Sequence, residues 1–590
     1  MTTLEGKELP DSSEFDFIVV GAGSSGCVVA SRLSEDANVS VLLIEAGPSD
    51  TTDPRIDVPG YLALLQKTEV DWDFKTERQP HACKAFRGQV STWPRGKVLG
   101  GSSAINGMAY VRGHKADFDS WEKLGCQGWG WKSVLTYFLK LENDLSSDKC
   151  TTHPSHHGRG GPLTVTKNQN FRTQISREFI KAGVELGYDE IDTNSGELMG
   201  FGDKWANIAD GKRCSTATAY VHPYQHRPNF TVLTNAHVTQ VQIDGKQATG
   251  LWYRYGHINR FIRAKREVVL SAGSIGTPQI MMLSGVGPKK HLEQLGIQCV
   301  ADLPVGENLT DHMSLLVKAT AKGSDAVTLN ANLSQETALR YKRDRSGPMS
   351  SNCAQSTALL QTGLEPGLPW PDIQVQFLSK FYTVGPEEPS VTGIADPRLQ
   401  RILGHNFSRE ERMRKEGVTF IVTLLHPKSI GDIKLRSTDP MDAPIIDPHY
   451  FEHAHDVKAM AEGVRIVKRL TETRALGQYQ VKLVDLTMPD SNCSEFSDEN
   501  LDALVRYFST TLYHPSGTCK MGSTDDPTTV LDPRLRVRGI GGLRVVDASI
   551  MPHLTSGNTN APIIMIGEKG ADLIKEDYNV SSGLNIGSRL

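Results

Sequence analysis

Hydrophobic residues near the N-terminus fall into short runs that end at a glycine or at an acidic residue. The apolar run at residues 17–20 predicts a buried parallel strand, and the apolar spacing over 27–33 predicts a helix. A second run, at 41–44, predicts another strand and ends at Glu45. Strand, helix and strand in this order predict a parallel β-α-β unit.

Three glycines lie where this unit turns from strand to helix. Gly21 permits a tight turn, Gly23 lets the backbone approach a pyrophosphate, and Gly26 lets the helix pack closely. The helix N-terminus then offers free N–H groups to phosphates. Glu45 follows Gly26 by nineteen residues, close to the ~20 expected of an acid that binds ribose. The stretch predicts a dinucleotide site; an ordinary β-α-β turn is the alternative.

The strand pattern returns after residue 230. Residues 230–270 predict several strands, with a hairpin turn at Asp244-Gly245 and a small-residue turn at 271–274. Apolar runs at 543–549 and 561–574 predict a last strand and a last helix. We therefore expect the nucleotide-binding domain to be assembled from separate parts of the chain.

Residues 311–505 have a different pattern. Several strand-like runs and one clear helix at 456–470 predict an α+β part built on an antiparallel sheet. Helical spacing also extends over 117–143 and 176–186. Five glycines and serines between Gly100 and Gly107 predict a backbone pressed against a flat ligand. A flexible linker is the alternative, which the embedded Ile105 disfavours.

Composition narrows the class of protein. The chain has 590 residues, so we expect two or more folding units. The net charge is −4 and no stretch is strongly basic, which disfavours a nucleic-acid partner. No apolar run approaches the ~20 residues of a membrane span. Nine dispersed cysteines without a C-x-x-C pair predict reduced thiols, and we expect no metal site.

The two ends of the chain bear on location. The N-terminal residues lack the basic and apolar regions of a signal peptide. The C-terminal residues Ser588, Arg589 and Leu590 are similar to the peroxisomal S-K-L signal. We expect a peroxisomal protein that binds an import receptor through this tripeptide; a cytoplasmic protein is the alternative.

At this point the chain resembles a known family, the glucose-methanol-choline (GMC) oxidoreductases, which bind FAD. The resemblance runs from about residue 14 to residue 576. Its segments are the loop at 21–26 with Glu45, R-G-K-V-L-G-G-S-S-A-I-N at 95–106, G-S-I-G-T-P-Q-I-M-M-L-S-G-V-G-P at 273–288, and the C-terminal H-P-S-G-T-C-K-M-G, L-R-V-V-D-A-S-I-M-P and S-G-N-T-N-A-P.

This resemblance implies a discontinuous α/β FAD-binding domain, Rossmann-like, and an α+β substrate domain whose antiparallel sheet covers the flavin. The predicted FAD-binding parts are 12–160, 225–310 and 521–578. The predicted substrate parts are 161–224 and 311–520, and residues 579–590 form a tail with the possible targeting signal.

Family resemblance also implies the site residues. His514 matches the catalytic base, which suits a histidine near neutral pH, and Asn558 matches the partner that holds the substrate oxygen. The helix that begins near Asn560 is expected to stabilise negative charge on the reduced flavin. The residues implied in FAD binding are Gly21, Gly23, Ser24, Ser25, Gly26, Glu45, Ala46, Trp72, Arg95, Val98, Gly101, Ser102, Asn106, Gly107, Met108, Ala109, Val238, Ala272, Asp547, Ala548 and Thr559.

Three departures from family patterns refine the function. Ile105 stands where some members carry the histidine that binds FAD covalently, so we expect non-covalent FAD. No acidic residue follows Asp311-His312, which disfavours a cationic substrate such as choline. Fatty-acid photodecarboxylases resemble the chain around Cys353 but carry arginine where Gln376 stands and lack a histidine matching His514. These differences disfavour a light-driven decarboxylation.

The predicted reaction is FAD-dependent oxidation of a small-molecule alcohol to an aldehyde or ketone. Hydride passes to flavin N5, His514 takes the hydroxyl proton, and oxygen reoxidises the flavin. One alternative is a dehydrogenase that uses another electron acceptor. The other is a non-redox lyase or cyclase of the same family.

Overall fold

The computed structural model describes residues 9–10, 13–146, 156–167, 170–196, 199–381, 397–402, 408–489 and 492–581. Within these residues, two seven-stranded sheets form the framework. Their strands are β1 (Glu14–Val20), β2 (Val41–Ile44), β3 (Gly200–Asp203), β4 (Phe230–Leu233), β5 (Ala236–Asp244), β6 (Gln247–Tyr255), β7 (Ile258–Leu270), β8 (Met313–Thr320), β9 (Ala354–Leu360), β10 (Ile373–Leu378), β11 (Gly417–Leu424), β12 (Lys482–Leu483), β13 (Thr510–Thr511) and β14 (Leu543–Val545).

Helices connect and cover these sheets. Those of six or more residues are α1 (Gly26–Leu33), α2 (Lys115–Lys123), α3 (Trp131–Leu141), α4 (Gln174–Glu185), α5 (Gly273–Leu283), α6 (Lys289–Gln294), α7 (Gln335–Asp344), α8 (Pro397–Ile402), α9 (Arg409–Arg414), α10 (Ala454–Thr471), α11 (Asp498–Phe508) and α12 (Asn560–Tyr578). Shorter helices span Ser102–Ile105, Leu329–Asn332 and Arg474–Gly477.

Outside the two sheets and these α-helices, the described residues also form 3-10 helices, a π-helix at Ala217–Val221 and six small two-stranded ribbons. The ribbons pair Phe74–Lys75 with Thr92–Trp93, Ala109–Tyr110 with Trp205–Ala206, Glu142–Asp144 with Leu163–Val165, Ile208–Ala209 with Lys212–Arg213, Val286–Gly287 with Ala301–Asp302, and Asp432–Lys434 with Ile445–Asp447.

The first sheet is mixed, in the order β4-β2-β1-β7-β6-β5, with β14 beside β7. Strands β4, β2, β1, β7 and β14 are parallel neighbours, whereas β5, β6 and the first half of β7 form an antiparallel meander. The run at 17–20 is almost fully buried because α1 and α12 pack together beside it. Carboxyl ends of parallel strands meet at one edge, which is where such sheets bind ligands.

The second sheet is antiparallel, in the order β12-β8-β11-β10-β9-β3, with β13 beside β8. Strands β9 and β10 are buried along their whole length, since α4 and α10 pack on them. A mixed sheet and an antiparallel sheet agree with the predicted fold class in outline. The domain boundaries drawn from the sequence stay a prediction.

Local patterns located several elements, with two errors, the first being that the strand expected at 543–549 ends at Val545 and is followed by a 3-10 helix at Ala548–Ile550. The strands expected in 230–270 and the helices expected at 456–470 and 561–574 are present, the last two within α10 and α12. Residues 117–143 instead form two helices, α2 and α3. Gly125 and Gly128 between them have φ angles of +92° and +82°, which a continuing right-handed helix does not allow.

Three further predictions concern a membrane span, a metal site and the C-terminal targeting signal. No described helix combines the length and apolar character needed to cross a bilayer. Among the described residues no group of three His, Cys, Asp or Glu side chains could hold a metal ion. Ser588 to Leu590 lie outside the described residues, so the targeting signal stays a prediction.

Candidate active site

A cavity of about 550 Å³ is lined by residues from both sheets. Nearly all of the residues predicted to bind FAD line it, together with His514 and Asn558. Gly26 and Val98 do not. Val98 is fully buried in a small cluster with Leu65 and Ala104, and its part in FAD binding stays a prediction.

The glycine-rich turn forms one wall of the cavity. Gly21 has a φ of +91°, as the tight turn requires. A Cβ added at Gly26 would lie 1.9 Å from the carbonyl oxygen of Gly21, so Gly26 closes the turn on itself. A Cβ at Gly23 would meet nothing within 4 Å, since this residue faces the cavity. Ser24 and Ser25 lie beside it at the start of α1.

Glu45 follows β2 and reaches the same wall. Its Oε2 accepts a hydrogen bond from the Ala22 N–H at 2.9 Å, and its Oε1 accepts from the Gly47 N–H at 2.9 Å. Burial raises the pKa of this carboxyl to about 7, although both N–H groups oppose the rise. Ala46, the next residue, also lines the cavity.

Residues 95–109 fold directly against the glycine-rich turn. A Cβ at Gly101 would lie 2.6 Å from the Cα of Gly23, so these two backbones pack with no side chain between them. The residues of this stretch that line the cavity are Arg95, Gly96, Gly101, Ser102, Ile105, Asn106, Gly107, Met108 and Ala109. The high density of small residues therefore reflects packing of backbone on backbone as well as contact with the cavity.

Further residues predicted to bind FAD line the cavity beside the glycine-rich turn and Glu45; we call this part of the cavity the cofactor end. The Trp72 ring stacks on Phe74 with centroids 5.7 Å apart, and the Lys97 ammonium lies 4.8 Å from the Trp72 ring centroid. Burial lowers the pKa of Arg95. Val238 contributes from β5, and Ala272 from the start of α5.

The C-terminal segment closes the cofactor end. Asp547 follows β14, and its Oδ2 accepts from the Gly273 N–H at 2.8 Å and from the Thr277 hydroxyl at 2.6 Å. Its Oδ1 accepts from the Ser549 N–H at 2.8 Å. Because both carboxylate oxygens already bind protein donors, this side chain ties β14 to α5. Ala548 and Thr559 line the cavity nearby.

His514 and Asn558 both line the cavity and approach each other. His514 Nε2 lies 3.4 Å from Asn558 Nδ2, a long contact. Within the described structure, Asn558 Oδ1 is buried and has no hydrogen-bond partner. His514 Nδ1 lies 2.8 Å from His312 Nδ1, and His312 Nε2 lies 2.9 Å from the Leu425 carbonyl oxygen.

These contacts determine which nitrogens carry hydrogen. The Leu425 carbonyl can only accept, so His312 Nε2 donates to it. Burial lowers the pKa of His312 to about 4, so the ring is neutral at pH 7 and its Nδ1 accepts from His514 Nδ1–H. The pKa of His514 also lies well below its usual value, through burial and the nearby His312, Arg95 and Lys204. His514 is therefore neutral, and its unprotonated Nε2 can accept a hydrogen bond, as it does weakly from Asn558 Nδ2.

Two buried carboxylates hold the loops that carry this pair. Asp311 Oδ1 accepts from the His514 N–H at 2.8 Å, and Asp311 Oδ2 accepts from the Tyr450 hydroxyl. Asp117 accepts from both the N–H and the hydroxyl of Ser556, each at 2.7 Å, two residues before Asn558. Both loops are thus fixed by charge-assisted hydrogen bonds.

Comparison with known proteins agrees with this geometry. A family model described as GMC oxidoreductase matches residues 15–314, and a second model, for the C-terminal part of the same family, matches residues 427–567. The chain belongs to the GMC oxidoreductase family. Members of this family bind FAD, and the chain is accordingly an FAD-dependent oxidoreductase.

Individual GMC relatives cover nearly the whole chain. An alcohol dehydrogenase [acceptor] of Pseudomonas putida is 36% identical over 96% of this chain and 97% of its own length. A glucose dehydrogenase [FAD, quinone] of Drosophila melanogaster is 38% identical over 96% of this chain and 87% of its own. The crystal structure of pyridoxine 4-oxidase from Mesorbium loti matches with a TM-score of 0.78 and 29% identity, covering 95% of this chain and 99% of that one.

The cavity of this GMC protein fits FAD. Helices α1, α5 and α12 all begin at the cavity, and none has a side-chain cap on its N-terminus. The first N–H groups of α1 and α12 are therefore available to phosphate or to an anionic ring, whereas the Gly273 N–H that begins α5 already donates to Asp547. Glu45 is buried at the same end, as an acid that binds ribose should be.

Sequence reasoning missed four residues of the site. His312 and Asp311 were noticed only for the lack of an acid after them, yet both contact His514. Lys204 and Gln376 line the cavity and bind each other, which no local pattern indicated. Polar side chains buried within a strand, as at Gln374 and Gln376 in β10, were the signal available.

Proposed function

We propose that this protein oxidises the alcohol group of a small molecule to an aldehyde or ketone, with His514 as general base and Asn558 as its partner. The observation that carries the proposal is the unprotonated Nε2 of His514, which lines the cavity and has only a long hydrogen bond, 3.4 Å, from Asn558 Nδ2. The names of the relatives support an alcohol-type substrate, since one acts as an alcohol dehydrogenase and another as a glucose dehydrogenase.

Each side chain has a distinct part in this mechanism. The substrate hydroxyl donates to His514 Nε2, and its oxygen accepts from Asn558 Nδ2. As the proton moves to Nε2, negative charge develops on the oxygen and Asn558 stabilises it. FAD, when bound, would supply the acceptor for the hydride of the carbinol carbon. His312 Nδ1 holds the His514 ring in the tautomer that this proton transfer needs.

The cofactor residues have roles by family resemblance. The N-terminus of α1 and Gly23 would face the pyrophosphate, and Glu45 would bind ribose hydroxyls. We propose non-covalent attachment because Ile105 lines the cavity and offers no atom that could form a bond to the flavin. Acid precipitation should leave all the FAD in solution; FAD retained in the pellet would overturn this point.

Oxygen is the electron acceptor that we propose. The peroxisome-like C-terminal tripeptide supports it, because peroxide could be removed there. The relatives include an oxidase and a protein named for a quinone. Enzyme reduced anaerobically should recolour faster in air than with a soluble quinone. The opposite order would make it a dehydrogenase that uses another acceptor.

Substitution of His514 tests the base. A panel of aryl, aliphatic, sugar and polyol alcohols is mixed anaerobically with the FAD-loaded protein, and bleaching of the flavin band is followed. We expect His514→Ala to slow reduction by the best alcohol about 10²–10⁴-fold. His257→Ala, at an exposed hairpin histidine, is the control and should change nothing. An unchanged rate in His514→Ala would reject the assignment.

A further inference from the structure

Lys204 is a buried lysine at the active-site cavity. Its exposed fraction is 3%, and it follows β3 at the edge of the antiparallel sheet. Among the described residues, its Nζ has one hydrogen-bond acceptor, the side-chain carbonyl of Gln376 on β10. An ammonium has three N–H donors, so this neutral amide leaves both the charge and two donors uncompensated.

The Gln376 amide is held in one orientation. Its Nε2 donates to Gln374 Oε1 at 3.3 Å, and Gln374 Nε2 donates to Thr357 Oγ1 at 3.3 Å. This series of amides along the sheet leaves the Gln376 carbonyl directed at Lys204. The lysine is therefore fixed at the cavity by a neutral group and not by an acid.

Carboxylates at the cavity are all engaged elsewhere. The acidic residues that line it are Glu45, Asp442 and Asp547. Glu45 and Asp547 bind backbone N–H groups of the cofactor end, and Asp442 binds the Ser437 hydroxyl. Consistent with this, burial alone lowers the pKa of Lys204, to about 7, with no contribution from a charged neighbour.

Apolar residues of the sheet line the cavity beside Gln376, with Ile421 paired to it and Leu316 paired to Ile421. Leu316, Leu378 and Ile421 line it from β8, β10 and β11, and Lys380 lines the cavity as a second cation. Lys204 is also close enough to His514 to lower the pKa of that ring. A ligand that reached both residues would present a hydroxyl at one end and an anion at the other, joined by a hydrocarbon body.

We propose that Lys204, held by Gln376, binds the carboxylate of the substrate, so that this enzyme oxidises a hydroxy-carboxylate with an apolar body. The ammonium donates two hydrogen bonds to the carboxylate, and the single charges cancel. The inference rests on the proposed alcohol oxidation for the identity of the other end. The same charge would repel a cationic substrate such as choline, which the sequence also disfavours.

Binding of acids that cannot be oxidised tests the anion site by itself. Propionate, benzoate and octanoate are titrated against the oxidised holoenzyme at pH 6.5, each beside its own amide, and the flavin spectrum reports binding. We expect at least one acid to bind about 10- to 100-fold more tightly than its amide, as for a charge-assisted buried pair. Three acids that bind no better than their amides would overturn the inference.

Variants then assign the effect to Lys204. In Lys204→Met the acid-to-amide ratio should fall to near 1, whereas Lys482→Met, which removes an exposed lysine from β12 of the same sheet, should keep it. FAD content of each preparation reports folding, and Lys204→Gln repeats the test if the Met variant does not load FAD. A ratio that survives in a folded Lys204 variant would reject this residue as the anion site.

Oxidisable ligands separate this inference from the proposed function. The pair is 8-hydroxyoctanoate and 8-hydroxyoctanamide, compared by KM and kcat for flavin reduction. We expect KM to be about 10- to 100-fold lower for the acid, with kcat similar for the two. Equal KM values would reject the carboxylate site and keep alcohol oxidation. Tight, Lys204-dependent octanoate binding with no reduction by any alcohol would keep the site and reject alcohol oxidation.

Discussion

Two parts of the cavity are built in opposite ways: the cofactor end, and the sheet end at Lys204 and Gln376. At the cofactor end, backbone packs on backbone, as at Gly101 and Gly23, and helix N-termini supply the polar groups. At the sheet end, side chains carried by separate strands or by the residues that follow them meet, and Lys204 and Lys380 are the cations that line the cavity there. A backbone site tolerates little change, whereas a side-chain site can alter its substrate while the fold stays the same.

The most severe expected effect is at the backbone end. In Gly101→Ala, the new Cβ would lie 2.6 Å from the Cα of Gly23, at a φ of +51°. Neither backbone can move without opening the turn, so we expect a protein that purifies without FAD. Gly477→Ala, where a Cβ meets nothing within 4 Å, should keep full FAD content by absorbance. A Gly101→Ala protein that binds FAD and is active would contradict the conclusion that the cofactor end depends on close backbone packing.

His312 lies between the two ends and tests orientation without contact to substrate. His312→Leu removes the acceptor of the His514 Nδ1–H, so the ring loses its fixed tautomer. We expect flavin reduction to slow by about 10- to 100-fold with FAD still bound. His312→Gln, whose carbonyl can accept that hydrogen, should recover part of the rate. Equal defects in the two variants would point to a packing role only.

At the sheet end the expected effect depends on pH. Lys204, with a pKa of about 7, is charged below pH 7 and neutral above it. Above pH 7 the acid-to-amide affinity ratio should therefore fall about tenfold per pH unit. His312 and His514 stay neutral in this range, and Glu45, with a pKa of about 7 at the cofactor end, should affect acid and amide alike. A constant ratio from pH 6.5 to 8.5 would contradict this.

The smallest expected effect is on the free energy of unfolding. Lys204→Met should stabilise the protein, whereas Gly101→Ala should damage it. Burial lowers the pKa of Lys204, so the folded state carries a destabilising charge below pH 7 that the unfolded chain solvates. Lys204→Met should raise the free energy of unfolding of the holoenzyme at pH 6.5 by about 1–3 kcal/mol. The gain should shrink as pH rises from 7 towards 10.5. Thermal melts at pH 6.5 and 9 check it; a loss of stability at both values would argue for a compensated lysine.

The sequence predicted the cofactor end well because many of its residues lie close together along the chain. The strand at 17–20, the glycines and Glu45 lie within thirty residues of one another, so spacing alone predicts their arrangement. The C-terminal strand and helix were also located, because each has a clear apolar pattern. The break between α2 and α3 was missed, since apolar spacing continues across Gly125 and Gly128.

The contact between Lys204 and Gln376 at the sheet end could not be predicted from the sequence, for a physical reason. Lys204 and Gln376 are 172 residues apart and meet only because β9 pairs with both β3 and β10. Strand pairing over such separations leaves no periodic signal in either segment. Asn558 and His514 were found through family resemblance, but the neutral His312 that orients the pair depends on burial, which sequence does not report.

Ser24 and Asn560 join the two most distant parts of the cofactor end. The Ser24 hydroxyl donates to Asn560 Oδ1 at 2.8 Å across 536 residues of chain, and β14 completes the sheet beside β7. A ribosome delivers the glycine-rich turn first and the N-terminus of α12 long afterwards. Nascent chains therefore lack one wall of the pocket for most of translation, and FAD can be enclosed only after nearly the whole polypeptide has emerged.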